Sequence, residues 1–137
     1  MKRFTSIALL TLATVCAAGG LQAQTHEIRA DVPFNFIVGS QQLPAGRYQL
    51  LPEGDSTILI QNRDRAIAVL SLSLCSAGES ATGSSLVFNK YGDRYFLSEI
   101  HSSIAVLNLE IPRSKLEKRA QTEQASLEPT RIMVAGN

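Results

Sequence analysis

The chain has 137 residues, and its 13 basic and 12 acidic residues give a formal net charge of +1. This balance excludes the concentrated positive charge with which proteins bind nucleic acid or anionic membranes. A hydrophobic fraction of 45% with 18% charged residues is typical of a folded domain rather than a disordered one.

The N-terminus has the pattern of a secretory signal peptide. Lys2 and Arg3 give a positive start, residues 7–18 form an apolar run, and small residues lead to Ala23. The apolar run is shorter than the roughly 20 residues that a membrane-spanning helix needs. We therefore predict cleavage after Ala23, with cleavage after Ala18 as the alternative, and export to the periplasm or the extracellular space.

Export leaves residues 24–137 as a single β-rich domain. Cleavage removes two basic residues and no acidic one, so the net charge changes from +1 to −1. Cys75 is then the one remaining cysteine, and no internal disulfide can form. Lipid attachment at Cys16 is disfavoured because the branched Val15 precedes it where a small residue is needed. No later segment is apolar for long enough to span a membrane.

The first half of this domain reads as strands separated by turns. Residues 32–38 alternate, and Pro33 suggests an edge position. The inward side chains of this strand are apolar: Val32, Phe34, Phe36 and Val38. Pro44 and Gly46 give residues 43–46 the composition of a turn, after which Tyr48 and Leu50 are expected to face inward.

Further strands are predicted over residues 57–61 and 66–74. The charged turn between them contains Arg63, Asp64 and Arg65, which we interpret as a solvated turn rather than a binding cluster. In the second of these strands the leucines share one face and the serines the other.

Residues 75–84 lack periodicity and are rich in small residues, so we expect a long loop. A β-hairpin follows, with strands over 86–90 and 94–100 around Gly92. Its second strand is expected to place Leu97 and Ile100 on opposite faces.

The C-terminal part is expected to contain a strand over residues 104–111 and then one helix. Ser114 and Glu117 have capping-box spacing, which predicts a helix over about 115–126. A short last strand is predicted over 130–134. Together these elements indicate an all-β fold, an antiparallel β-sandwich or a small barrel of about seven strands with one short C-terminal helix.

Two blocks carry a resemblance, at residues 32–48 and 88–97. Together they resemble a group of small exported proteins of acidobacterial type that has no assigned function, and the similarity extends over roughly residues 32–118. The resemblance implies export and a β-rich domain, and it supplies no catalytic residues. The turn at residues 43–48 is also similar to one in transthyretin-like and carboxypeptidase-regulatory-like sandwiches.

Catalytic and metal-binding residues are sparse. Cys75 and His101 form a conceivable nucleophile–base pair, but Cys75 ends an apolar strand, where we expect a buried and inert thiol. His26 lies beside Glu27, and Glu99 lies two residues from His101, without the three or four spaced ligands of a metal site. We therefore predict no catalytic residues, no metal and no cofactor.

The aromatic residues offer a contact surface instead. Tyr48, Tyr91 and Tyr95 are candidates for contact with a ligand or partner, and Tyr91 is expected to be the most exposed because it lies at a turn. The competing interpretation places Tyr48 and Tyr95 at the edge of the core. The sequence favours a non-enzymatic structural or binding module whose partner is an envelope protein or a glycan. The alternative is a small hydrolase that uses Cys75 or a serine of residues 75–85.

Overall fold

The computed structural model describes residues 27–76, 83–103, 107–124 and 130–136. Within these ranges the chain forms eleven strands and one α-helix. The elements are β1 (Ile28–Val32), β2 (Phe36–Val38), β3 (Gln41–Leu43), β4 (Gly46–Pro52), β5 (Thr57–Asn62), β6 (Ile67–Leu72), β7 (Leu74–Cys75), β8 (Ser84–Tyr91), β9 (Arg94–Ser102), β10 (Leu107–Glu110), α1 (Lys115–Glu123) and β11 (Thr130–Gly136). The predicted signal peptide and His26 lie outside the described residues.

The strands form one sheet in the order β3-β2-β9-β8-β11-β1-β4-β5-β6, with β10 beside β9 and β7 beside β10. All neighbours are antiparallel except β2 and β9, which pair in parallel at Ile37 and Phe96. The C-terminal strand β11 lies in the middle of this order, between β1 and β8. A strand late in the chain thus joins the first half of the domain to the hairpin.

The sheet nearly closes into a barrel through β6 and β7. These two strands are separated only by Ser73, which is buried and donates its N–H to the carbonyl of Ser56 at 2.9 Å. Before Ser73 the chain pairs with β5, and after it the chain pairs with β10, which in turn pairs with β9. One bent run of residues 67–75 therefore connects the two sides of the sheet.

The all-β class and the single short helix are confirmed, but the prediction of about seven strands is wrong. Three of the eleven strands have only two or three residues, too few to show an alternating pattern. The strand expected over residues 32–38 is interrupted at residues 33–35, and the strand expected over 66–74 is interrupted at Ser73. The structure does not confirm a sandwich.

The inside of the barrel is the main core. Val32, Phe36 and Val38 line it as expected from their alternation, and Tyr48 and Leu50 face inward. Aromatic rings from separate strands meet there: Phe36 and Phe88 have centroids 5.4 Å apart, and Phe36 and Tyr48 have centroids 5.0 Å apart. Edge-to-face packing of this kind adds to the burial of apolar area.

A second cluster lies on the outer face of the sheet beneath α1. Ile37, Tyr91 and Phe96 contribute from the strands, and Ala120 and Leu116 contribute from the helix. The predicted helix thus covers the sheet with a narrow apolar stripe. It ends at Glu123, earlier than predicted, and residues 125–129 lie outside the described part of the chain.

A β-bulge explains why β9 does not alternate regularly. Val87 pairs with Glu99, but the next residue, Phe88, pairs with Leu97, so Ser98 is an extra residue in β9. The extra residue lets both Leu97 and Ile100 enter the main core. The prediction that these two side chains lie on opposite faces is wrong for this reason.

The capping box is half formed. Ser114 is the N-cap, and its hydroxyl accepts a hydrogen bond from the backbone N–H of Glu117 at 3.1 Å. The Glu117 side chain does not return to Ser114. It is buried and accepts hydrogen bonds from Asn89 Nδ2 at 3.0 Å and from the Tyr91 hydroxyl at 3.5 Å. Glu117 therefore ties α1 to β8.

Candidate ligand-binding cleft

The three candidate tyrosines do not form a common exposed patch. Tyr48 and Tyr91 are each only 1% exposed, so the expectation of an exposed Tyr91 is wrong. Tyr91 is the last residue of β8, and its side chain lies under α1, which the local turn sequence does not reveal. Tyr95 is half-buried, stacked on Phe34 with centroids 4.1 Å apart, and Lys90 Nζ lies 5.3 Å from its ring centre.

Burial changes the pKa of the two buried tyrosines, Tyr48 and Tyr91. Burial raises the pKa of Tyr48, whose hydroxyl donates to the carbonyl of Pro44 at 2.5 Å. Burial also raises the pKa of Tyr91, and the neighbouring Glu117 carboxylate raises it further. Both phenols are therefore neutral hydrogen-bond donors inside the fold at physiological pH.

Cys75 and His101 are not brought together as a catalytic pair. Cys75 pairs with Leu109, whereas His101 pairs with Asn108, the adjacent residue of β10, so the two side chains leave the sheet on opposite faces. Cys75 is exposed, and the expectation of a buried thiol is wrong because β7 lies at the edge of the sheet.

His101 belongs to a small polar network. Its Nδ1 lies 2.7 Å from Asn108 Oδ1, and its Nε2 lies 3.1 Å from Glu99 Oε2. Glu99 also forms an ion pair with Arg131 of β11. Within the described residues no three His, Cys, Asp or Glu side chains gather in an arrangement that would hold a metal ion. The Glu99–His101 pair is thus a contact within β9, which Asn108 links to β10 and Arg131 links to β11.

A polar cleft of about 670 Å³ lies on the outer face of the sheet, and we call it the arginine cleft. Its lining comes from β1, β4, β11 and the turn between β5 and β6: Arg29, Ala30, Asp31, Arg47, Tyr48, Gln49, Arg63, Asp64 and Ala135. The volume lies within the range of small-molecule sites in proteins, roughly 300–1,000 Å³.

Strand register places these side chains together. In the β1–β4 pair, Arg29 lies opposite Gln49 and Asp31 lies opposite Arg47. Their neighbours in each strand, such as Ala30 and Tyr48, are buried. Because side chains alternate along a strand, the residues between those that fill the core point to the outer face. Inward Tyr48 thus fixes the outward direction of Arg47 and Gln49.

The charges of the cleft are balanced by ion pairs. Arg29 Nε lies 2.8 Å from Glu27 Oε1, and Arg47 Nη2 lies 3.3 Å from Asp64 Oδ2. The hydrogen bond from Arg29 lowers the pKa of the Glu27 carboxyl, and the same bond raises the pKa of Arg29. Arg63 and Asp31 make no ion pair within the described part of the chain. The charge of Arg63 also helps to lower the pKa of the Glu27 carboxyl, so Arg63 acts on the same carboxylate that Arg29 binds.

The floor of the cleft contains an unused acceptor. Gln49 lies between Arg29 of β1 and Gln61 of β5 in register, and its side-chain carbonyl oxygen is inaccessible and has no hydrogen-bond partner among the described residues. A buried carbonyl without a partner costs about 1–3 kcal/mol of desolvation.

Sequence reasoning missed this site. Arg63, Asp64 and Arg65 lie exposed in the turn between β5 and β6, as the sequence indicates, and Arg63 and Asp64 also line the cleft. Arg29, Arg47 and Gln49 stand out only as polar positions in alternating strands. The sequence indicates that Arg29 and Arg47 occupy outward positions of their strands. It does not indicate that these strands are adjacent, because adjacency depends on the topology of the sheet.

None of the helices in the described ranges is long and apolar enough to cross a membrane. Comparison of the chain with models of protein families, with curated proteins and with solved structures found no match. The geometry of the chain itself therefore carries the functional argument.

Proposed function

We propose that this chain is an exported, non-enzymatic binding module of the cell envelope or the extracellular space, and that the arginine cleft binds a neutral glycan. The observation that carries the proposal is the cleft, which gathers guanidinium, carboxylate and amide groups around a depression large enough for a small ligand. The N-terminal pattern of a signal peptide supports export.

The side chains that line the cleft suit a ligand rich in hydroxyl groups better than a strongly charged ligand. Arginine only donates hydrogen bonds, aspartate only accepts them, and the Gln49 amide does both. A sugar hydroxyl both donates and accepts, so neighbouring hydroxyls can satisfy all three kinds of group. A strongly anionic ligand would have to displace the Glu27 and Asp64 carboxylates from their arginines. The balanced charges therefore favour a neutral ligand.

A non-enzymatic role fits the same residues. Asp31 and Asp64 are the carboxylates of the lining, and both are exposed to solvent. A general acid needs a raised pKa, which enzymes obtain by burying the carboxyl. The cleft thus has the groups to hold a glycan and lacks the buried acid of a glycosidase among its lining residues.

Isothermal titration of the domain over residues 24–137 tests this proposal. The probes are neutral cello-, malto- and chito-oligosaccharides, with oligogalacturonate as an acidic comparison. We expect at least one neutral series to bind and the acidic probe to bind more weakly. Arg63→Ala and Asp31→Ala should each weaken binding about tenfold or more, because each removes a hydrogen bond to the ligand made by a charged group.

Arg119→Ala is the matched control, since Arg119 is an exposed arginine on α1, outside the lining of the cleft. It should leave the affinity unchanged. Preferential binding of the acidic probe, or equal loss in Arg119→Ala and Arg63→Ala, would contradict the assignment of the cleft.

A further inference from the structure

A second surface, independent of the arginine cleft, consists of leucines. Leu51 of β4 lies opposite Leu59 of β5, and Leu59 lies opposite Leu70 of β6, so the three share the outer face. Leu72 and Leu74 extend the row along the chain. We call these five residues the leucine face. Leu70 is 65% exposed, Leu72 is 66% exposed and Leu74 is 55% exposed.

The row differs from the scattered exposed leucines of an ordinary surface. Contiguous apolar patches mark interaction sites, whereas single exposed apolar residues are normal. Residues 66–76 contain no charged residue and no proline. Charges and prolines are the devices with which exposed strands avoid association, and this strand has neither. The leucine face is therefore open to a partner.

Charges at the two ends of β5 identify that partner. Glu53 and Asp55 make the turn before β5 acidic, while Arg63 and Arg65 are the basic residues of the turn after it. Asp64, in the same turn, is paired with Arg47. Asp55 and Arg63 are each four residues from Leu59, and Glu53 and Arg65 are each six residues away. Acidic residues thus precede Leu59 and basic residues follow it, at the same sequence distances.

We propose that the leucine face binds the same face of a second copy of this chain. A two-fold axis in the interface plane and perpendicular to β5 would stack the two faces with their strands antiparallel. The acidic turn of each copy would then lie against the basic turn of the other. The leucines would pack leucine on leucine, and Arg63 and Arg65 of each copy would lie against Glu53 and Asp55 of the other. The alternative two-fold axis, parallel to β5, would place acidic turn against acidic turn.

Sedimentation analysis of residues 24–137, from about 1 µM to about 1 mM, tests the proposal. A Cys75→Ser background removes any contribution of disulfides. We expect a reversible monomer–dimer equilibrium. Leu70→Lys should raise the dimer dissociation constant at least tenfold, because a charge would enter the apolar centre. Met133→Lys is the control, because Met133 is 70% exposed on β11, outside the leucine face.

Charge exchange gives the sharper test, and it uses residues outside the arginine cleft. Glu53→Arg alone and Arg65→Glu alone should each weaken the dimer, whereas the double variant Glu53→Arg/Arg65→Glu should restore it. Added salt should weaken the wild-type dimer, because it screens exposed charges.

A monomer throughout the concentration range would overturn the proposal. So would equal effects of Leu70→Lys and Met133→Lys, or a double charge variant weaker than both single variants. Assembly beyond the dimer would also overturn it, because a two-fold interface is closed. The variants of this test, at Glu53, Arg65, Leu70 and Met133, lie outside the lining of the arginine cleft and differ from those of the glycan titration.

Discussion

At the scale of single residues, Gly92 shows how local chemistry fixes the turn of the hairpin. It is the first central residue of the two-residue loop between Tyr91 and Arg94, and its φ is +60°. The second central residue, Asp93, has no positive φ, and this combination belongs to a type II′ turn. A Cβ at position 92 would also collide with the side-chain amide of Gln124.

Gly92→Ala should therefore lower the free energy of unfolding by more than ~1 kcal/mol, since a side chain at positive φ is strained. Urea denaturation measures the change. The flexible end of the Gln124 side chain can move away, so Gly92→Ala should cost a similar amount of stability in a Gln124→Ala background. An unchanged midpoint in Gly92→Ala would mean that the turn does not need glycine.

The turn was predictable from sequence, because it depends on the local residues around Gly92. The burial of the Tyr91 side chain was not predictable. Tyr91 directly precedes Gly92, but its burial depends on Ala120 and Glu117, which lie far along the chain. The same holds for the exposed Cys75, whose environment is set by the edge position of β7. Position relative to a turn predicts backbone geometry better than it predicts exposure.

At the scale of elements, α1 is fastened to the sheet by one buried carboxylate. The apolar stripe of the helix is thin, with Ala120 and Leu116 as its contributions to the cluster beneath it. Glu117 adds two hydrogen bonds to the same strand, one from Asn89 and one from Tyr91. Buried polar groups left without partners are costly, so these bonds help to keep the helix in place.

Glu117→Ala should cost about 1–3 kcal/mol of unfolding free energy, because it leaves the Asn89 amide and the Tyr91 hydroxyl buried without their acceptor. Glu117→Gln should cost less, since its carbonyl oxygen can still accept. Lys118→Ala is the control, because Lys118 is the exposed neighbour in the same helical turn. Guanidinium denaturation compares the three, and equal midpoints for Glu117→Ala and Lys118→Ala would contradict this role.

The start of α1 could be predicted from sequence, whereas the irregular pairing of the hairpin could not. The spacing of Ser114 and Glu117 correctly located the start of α1, because capping is local. The bulge at Ser98 was not visible, because it depends on the pairing of β9 with β8. A one-residue shift in register changes the face of every following side chain, so one bulge was enough to misplace Ile100.

At the scale of the whole molecule, aromatic side chains from separate strands pack inside the barrel, and the arginine cleft lies on its outer face. The meeting of the early strands with the hairpin was predictable from the aromatic residues of both segments, and Phe36 and Phe88 do meet in the main core. The arginine cleft was not predictable. Arg29, Arg47 and Arg63 come from three separate parts of the chain, and only the strand order brings them together.

A double-mutant cycle on Phe36 and Phe88 tests this division between inside and outside most directly. These rings are 2% and 0% exposed, so each Phe→Ala change should cost about 3–5 kcal/mol, and their effects should couple by ~0.5–1.5 kcal/mol. Phe36→Leu and Phe88→Leu provide a milder cycle if the alanine variants do not fold. Phe36 with Met133 is the control pair, expected to be additive because Met133 is exposed on β11, three strands away from β2. Coupling in the first pair with additivity in the second is the predicted result. Small, strictly additive effects at Phe36 and Phe88 would place the rings on the surface and contradict the account.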